Sequence, residues 1–240
     1  MNAMIFAAGL GTRLRPLTNT RPKALVEIHG TPMLEWVLRR MQAAGVEHVI
    51  INAHAFADAI HEFAATHPHD GMTVQISDER GLLLDTGGGL KHAAWFFRDG
   101  EPFLLHNADV LSNLDLRAFY DFHCARPNAL ATLAVNARPA SRRLLFDDDG
   151  RLCGWEHLAN GERRVARPAA TLHAFGFCGI HVVSPAIFAL MPDASVFSMI
   201  DVYLNAAAAH DIWAYRHDGE WLDVGTSERL RQAEDALARL

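Results

Sequence analysis

Apolar residues recur along the first half of this chain in short blocks whose period changes from one block to the next. Ala3-Met4-Ile5-Phe6 is a continuous apolar run of strand length, the pattern of a strand buried on both faces. A second such run is Val49-Ile50-Ile51. Between them, from Thr31 to Ala44, Met33, Val37, Leu38 and Met41 fall at helical spacing. That segment predicts a helix capped by Thr31, with Pro32 at its first position and Gly45 as its stop. The alternation continues with a helix over Ala55 to Thr66, a strand over Met72 to Ile76, a helix over Gly88 to Phe97 and a strand over Pro102 to His106. Strands alternating with helices imply parallel neighbours covered on both faces, an α/β doubly wound, mostly parallel sheet.

The second half has a different texture. Leu130 to Asn136, Arg143 to Asp147 and Leu152 to Glu156 read as adjacent strands, and Asp148-Asp149-Gly150 reads as a hairpin turn between the last two. The triplet resembles a D-x-D metal motif, but alternating strands on both sides favour the turn. Asn160 to Ala170 carries Arg163, Arg164 and Arg167 without periodicity and predicts a mobile loop. Ala174 to Val183 and Ile212 to Arg216 are further strands, and Ser198 to His210 and Ser227 to Leu240 are closing helices. With no repeat or low-complexity linker, 1–240 reads as one domain with a β-rich subregion on its later side.

Composition narrows the class. Half of the 240 residues are hydrophobic, enough for a sizeable core, yet no apolar run approaches the roughly 20 residues that span a bilayer. The first strand starts almost at Met1 and no signal-peptide pattern precedes it, so a cytoplasmic protein without membrane attachment is expected. A net charge of −6 argues against a general nucleic-acid binder. Three widely spaced cysteines without a C-x-x-C pair suggest neither a disulfide framework nor zinc. The 14 histidines show no metal-binding spacing, and His67 and His69, flanking Pro68, read as solvated loop residues.

Candidate chemistry concentrates in A-A-G-L-G-T-R-L-R-P-L-T-N-T-R-P-K-A-L-V, residues 7 to 26, directly after the first strand. Gly9 and Gly11 let backbone approach an anion closely, and Arg13, Arg15, Arg21 and Lys23 supply positive charge. This is equipment for a polyphosphate. It is not a Walker loop, since no Gly-Lys pair occurs, nor a G-x-G-x-x-G fingerprint, whose third glycine is replaced by Leu14. A bound triphosphate calls for a divalent metal on one or two carboxylates. Asp109, in N-A-D-V after a buried strand, and Asp223, in W-L-D-V-G-T before the last helix, stand where open α/β sheets build their sites. The cluster Asp85-Thr86-Gly87-Gly88-Gly89 suggests backbone lying flush against a flat ligand.

The first loop matches G-x-G-[ST]-R-[LM]-x-P-L-T followed by P-K in every element, and Asp109 and Asp223 match [GN]-x-D and W-x-D-[VTI]-G-T. In these motifs and their order, from Met4 to the last helix, the chain resembles the sugar-1-phosphate nucleotidylyltransferases. The resemblance implies the nucleotide-diphospho-sugar transferase fold, with 1–128 as the nucleotide-binding half and 129–240 as the sugar-phosphate half with closing helices. It implies attack of a sugar 1-phosphate on the α-phosphorus of a nucleoside triphosphate, releasing pyrophosphate. Arg13, Lys23, Asp109 and Asp223 would be catalytic, the two aspartates holding Mg²⁺. Nucleotide contacts would come from Ala8, Gly9, Gly11, Thr12, Arg13, Lys23, Asp85, Gly88 and Gly89.

For the sugar phosphate, Asn52, Asn107, Arg142, Glu156 and Gly179 are the candidates. Many members carry an E-K-P motif whose lysine contacts the sugar phosphate. Here G-W-E-H keeps Glu156 but lacks the lysine, leaving Arg142 or Arg143 to replace it. The short length, T-G-G-G and missing E-K-P look most like members that join UTP to N-acetylmuramate 1-phosphate in cell-wall recycling. Mannose 1-phosphate or heptose 1-phosphate with GTP, and glucose 1-phosphate with UTP or dTTP, are the alternatives. A related glycosyltransferase could use Asn107-Ala108-Asp109 as its metal motif but has no use for Arg13 and Lys23 around a triphosphate. A non-catalytic nucleotide-sugar sensor is the other competing class, and the retention of all four catalytic candidates argues against it. The expected assembly is a monomer or a homodimer.

Overall fold

The computed structural model describes residues 1–97 and 100–236. The strands are β1 (Asn2–Phe6), β2 (Glu27–Ile28), β3 (Thr31–Pro32), β4 (His48–Ala53), β5 (Thr73–Asp78), β6 (Phe103–Asn107), β7 (Val110–Ser112), β8 (Ala129–Asn136), β9 (Arg142–Phe146), β10 (Leu152–His157), β11 (Glu162–Val165), β12 (His173–Val183), β13 (Asp211–Arg216) and β14 (Trp221–Asp223). The helices are α1 (Met33–Ala43), α2 (Ala57–Thr66), α3 (Asp85–His92), α4 (Leu116–Cys124), α5 (Met199–Ala206) and α6 (Ser227–Ala236). Ten strands form one mixed sheet in the order β11-β10-β9-β12-β6-β1-β4-β5, with β8 joined to β12 and β13 to β8. Strands β6, β1, β4 and β5 run parallel, while β12 pairs antiparallel with β6, β8 and β9.

The continuous apolar runs follow from burial on both faces. Ala3, Ile5, Val49, Ile51 and Leu104 pack on one side, with helices α1, α2 and α4. Met4, Ile50, Phe103 and Leu105 pack on the other, with α3 and α5. Adjacent residues of one strand therefore serve opposite cores, as a period of two requires. A third cluster, Val26, Ile28, Met33, Leu111, Leu222 and Val224 with Ala233 of α6, fastens the small β7–β14 ladder to the start of α1.

Several expectations are corrected. Thr31 does not cap α1: Thr31 and Pro32 pair with Glu27 and Ile28, and the Met33 N–H donates to the Val26 carbonyl at 3.0 Å, so the helix begins only at Met33. Helix α3 starts at Asp85, three residues before the expected Gly88. The segment from Asn160 to Ala170 is not a free loop, because Glu162–Val165 pairs with β10 as an added strand. Arg164 binds Asp201 on α5, and Arg167 donates to the Ala207 and His210 carbonyls, so these arginines knit the segment to the body. The helix expected over Ser198 to His210 ends at Ala206, and 237–240 of the last helix lie outside the described residues. Among the described residues no helix is long and apolar enough to cross a membrane.

Two buried histidines make the fold sensitive to acid. His123 bridges Thr132 and Ser184 at 2.9 and 3.0 Å, and His181 meets the Tyr203 hydroxyl at 2.5 Å. Burial lowers their pKa values to about 4 and about 3. Because the folded values lie below the unfolded one, the unfolded chain takes up protons first as pH falls through about 6.5. Stability is full above that pH and declines down to about 4 for His123. Each histidine contributes at most about 1.4 kcal/mol per pH unit within that window. The melting temperature should fall by several degrees between pH 6.5 and 5, and His123→Gln should flatten the fall. A flat profile for the unsubstituted protein would contradict this assignment.

Candidate active site

The parallel register sets the carboxyl ends of three strands side by side, pairing Phe6 with both Asn52 and Asn107. Chain leaving β1 turns over this edge. The Asn52 carboxamide oxygen accepts the Ala7 N–H at 2.7 Å and the Ala8 N–H at 3.3 Å, while its Nδ2 donates to Glu79 Oε1 at 2.8 Å. Asn52, expected at the sugar phosphate, is thus buried as a clamp on the loop that follows β1. Glu79, which sequence reading missed, is 3% exposed, and burial raises its carboxyl pKa.

Beyond the clamp the loop winds through 3-10 turns at Thr12–Leu14, Leu17–Asn19 and Lys23–Leu25. Gly11, at φ +62°, lets these turns close: a Cβ there would lie 2.9 Å from both Lys23 Cβ and Thr18 Cγ2. The Thr18 hydroxyl locks the turn by donating to the Gly11 carbonyl at 2.8 Å. This delivers Lys23, only 11% exposed along its side chain, into an ion pair with Asp109.

Asp109 and Asp223 are brought together by backbone. Asp223 pairs with Val110 across the β7–β14 ladder, and the Val224 N–H donates to the Asp109 carbonyl at 2.8 Å. Gly225 leaves room for Arg13, since a Cβ there would stand 2.9 Å from Arg13 Nη2 and 3.1 Å from Asp223 Oδ1. Burial, followed by the neighbouring Asp109 charge, raises the Asp223 carboxyl pKa, with Lys23, Arg13 and Arg229 opposing. Its Oδ1 is buried without a hydrogen-bond partner. Two facing carboxylates, one with an orphaned oxygen, suit a divalent cation. Among the described residues no three or more acidic, His or Cys side chains are grouped so as to hold a metal ion, so substrate oxygens and water would complete the shell.

Asp109 lines one cavity and Asp223 lines another. The first, about 440 Å³, is lined by Ala8, Gly9, Lys23, Asn107 and Asp109 on one side and by Leu83, Asp85, Thr86 and Val196 on the other. Gly88 and Gly89 are not among its lining residues, contrary to expectation; they are buried against the chain itself. A Cβ on Gly88 would stand 2.0 Å from the Ser195 carbonyl oxygen, and one on Gly89 would stand 2.7 Å from Glu79 Oε1. The N–H groups of Gly87 and Gly88 donate to the Phe197 carbonyl at 2.9 and 3.2 Å. Gly87 and Gly88 therefore dock the 195–197 segment, which in turn presents Val196 to the cavity.

The second cavity, about 420 Å³, includes Asp223, Arg142, Arg143, Arg138, Asn136 and Arg229 in its wall. Glu156, expected to bind a sugar hydroxyl, instead accepts from Arg143 Nε at 2.9 Å and holds that guanidinium in place. Gly179, expected at the sugar phosphate, is buried at φ +72°, where a Cβ would lie 2.6 Å from Asn107 Nδ2. It makes space for Asn107, which faces the first cavity rather than the second. Sequence reading missed Asn136, Arg138 and Arg229; the position of Arg229 shortly after W-L-D-V-G-T was the one available signal.

Residues 2–144 match the family model described as nucleotidyl transferase. The chain belongs to that family. It is 35% identical over 240 residues to the N-acetylmuramate alpha-1-phosphate uridylyltransferase of Caulobacter vibrioides, covering 98% of this chain and 96% of that one. The protein of the same name from Neisseria meningitidis serogroup B is 30% identical, with 99% and 98% covered. In fold the chain is similar to a UDP-glucose pyrophosphorylase from Acinetobacter baumanii (TM-score 0.80, 18% identity, 97% of this chain and 91% of that one). HddC from Yersinia pseudotuberculosis complexed with GMP-PN gives a TM-score of 0.77 at 21% identity, covering 98% and 99%. This family member is a sugar-1-phosphate nucleotidyltransferase, with the mixed sheet and flanking helices of that fold.

The docking role of the glycines is testable. Gly88→Ala should displace the 195–197 segment, lower kcat/KM for both substrates by at least about tenfold, and lower the melting temperature. Wild-type kinetics and stability in this variant would show that Gly88 is not packed as described.

Proposed function

We propose that the protein transfers the uridylyl group of UTP to N-acetylmuramate 1-phosphate, forming the UDP-linked sugar and pyrophosphate in the cytoplasm as a step of cell-wall recycling. The observation that carries the reaction is the convergence of Asp109 and Asp223, with Lys23 and Arg13, between a loop-lined cavity and an arginine-lined one. Full-length similarity to two proteins of that name supports the choice of sugar and nucleotide. Three free cysteines accord with a reducing compartment.

The nucleotide takes the first cavity, its base between the Ala8–Gly9 backbone and the Leu83–Thr86 wall, and the sugar phosphate takes the second. The attacking phosphate oxygen is already ionised at neutral pH, so the site needs no general base and catalysis rests on positioning and charge. Lys23 neutralises charge at the α-phosphate, and Arg13 stabilises the departing pyrophosphate. Asp109 and Asp223 would hold Mg²⁺, which when bound screens the two approaching anions and polarises the α-phosphoryl group. Ala8, Gly9, Gly11 and Thr12 shape the loop around the phosphates.

Pyrophosphate release with Mg²⁺ should be strongest for UTP with N-acetylmuramate 1-phosphate among pairings of common nucleoside triphosphates and sugar 1-phosphates. A stronger response to mannose 1-phosphate with GTP, or to glucose 1-phosphate, would overturn the substrate assignment while keeping the reaction. Asp109→Asn and Asp223→Asn should each reduce kcat by about 10² to 10³. Asp223→Asn should not lower the melting temperature, since it removes a buried like charge. Full activity in either folded variant would refute the assignment of these carboxylates.

A further inference from the structure

We propose that the second cavity selects a sugar 1-phosphate bearing a second anionic group, and that Arg142 and Arg138 are the residues that read it. The inference rests on the substrate reading above and identifies what would recognise the lactyl carboxylate of N-acetylmuramate, which N-acetylglucosamine lacks.

The case begins with an imbalance of charge. Four guanidiniums line this cavity, and the carboxylate among its lining residues is Asp223, which faces Asp109 and the reaction. Arg143 is neutralised by Glu156. The Arg138 guanidinium is held by the Trp221 and Gly219 carbonyls at 2.5 and 3.3 Å, which fix its position without cancelling its charge. Arg142 is exposed on β9 and, among the described residues, its side chain makes no ion pair or hydrogen bond. Arg229, on α6, lies within electrostatic reach of Asp223, the end where the 1-phosphate must approach the nucleotide. One phosphate beside Arg229 leaves Arg138 and Arg142 without an anionic partner.

A second observation points the same way. Asn136 lines the cavity at 5% exposure, and its Nδ2 is buried without an acceptor. Buried donors left unsatisfied are unfavourable, so this amide calls for an acceptor that the protein does not supply. Trp155, Phe177 and Trp221 add apolar surface for a pyranose ring and its acetyl group. The wall is therefore rich in donors and aromatic faces. A neutral hydroxyl beside them leaves two guanidiniums without an anionic partner, whereas a carboxylate engages the guanidinium fork with two charge-assisted hydrogen bonds. Arg138 lies in the short β8–β9 connection and Arg142 opens β9, so one segment supplies both cations.

The test compares kcat/KM, by pyrophosphate release from UTP with Mg²⁺, for N-acetylmuramate 1-phosphate, its methyl ester and N-acetylglucosamine 1-phosphate. The full chain should favour the free acid over N-acetylglucosamine 1-phosphate by about 100-fold, with the ester losing most of that preference. Arg142→Gln should shrink the preference at least about tenfold, chiefly through KM for the free acid, and Arg142→Lys should restore part of it. An equal loss on both sugars in Arg142→Gln would make Arg142 a phosphate contact and overturn the proposal, leaving the substrate reading intact. An unsubstituted enzyme that does not prefer the acidic sugar would overturn the substrate reading and the proposal together.

Discussion

Asp109 and Asp223 carry like charges, and the fold holds them close enough for the Asp109 charge to raise the Asp223 carboxyl pKa. The β7–β14 ladder and the Val224 to Asp109 hydrogen bond fix the two backbones side by side. Lys23 and Arg13 offset part of the repulsion, yet one Asp223 oxygen stays buried without a partner and its carboxyl is pushed up. Such an arrangement stores unfavourable electrostatics that a divalent cation relieves on binding. Much of the rest can be read as support for this pair: the third apolar cluster anchors β14 and α6, and the Gly11 turn delivers Lys23.

The same geometry divides the labour between the two cavities. One borders Asp109 and is walled by loop backbone and apolar side chains, suited to a base and its phosphates. The other borders Asp223 and is walled by arginines and aromatic rings, suited to an anionic sugar. The border between them is where the protein's own negative charge, on Asp109 and Asp223, meets the cations Lys23 and Arg13. The segment around Val196 and helix α5 spans both compartments, since Val196 faces the first and Ile200 the second.

What the sequence made legible was chemistry carried by a residue type at a strand end. Asp109, Asp223, Lys23 and the first loop were identifiable because glycine, cation and carboxylate each have few other reasons to stand there. Asn52 was legible as polar within an apolar strand, but its role depends on the parallel register that sets it beside Phe6, and register is a long-range property. The triple glycine stands out in the sequence, but the surfaces that need the missing Cβ atoms belong to the chain itself: Ser195 and Phe197, more than a hundred positions away, for Gly88 and Gly87, and Glu79 with Asn52 for Gly89. Strand β11 has no alternation because its side chains face no single core, so only its pairing with β10 reveals it. Thr31 had the composition of a cap, but the tight turn through His29 and Gly30, both at positive φ, paired it as a strand first.

The most direct test of the facing-carboxylate account is ³¹P relaxation of a non-hydrolysable UTP analogue bound to the protein, with Mn²⁺ titrated as a paramagnetic probe. If Asp109 and Asp223 hold the cation against the α-phosphate, Mn²⁺ should strongly broaden the α-phosphorus resonance in the wild type. The double variant Asp109→Asn, Asp223→Asn should lose that effect while still binding the analogue. Equal broadening in the two proteins would mean that the nucleotide alone carries the metal, and the central claim would fail.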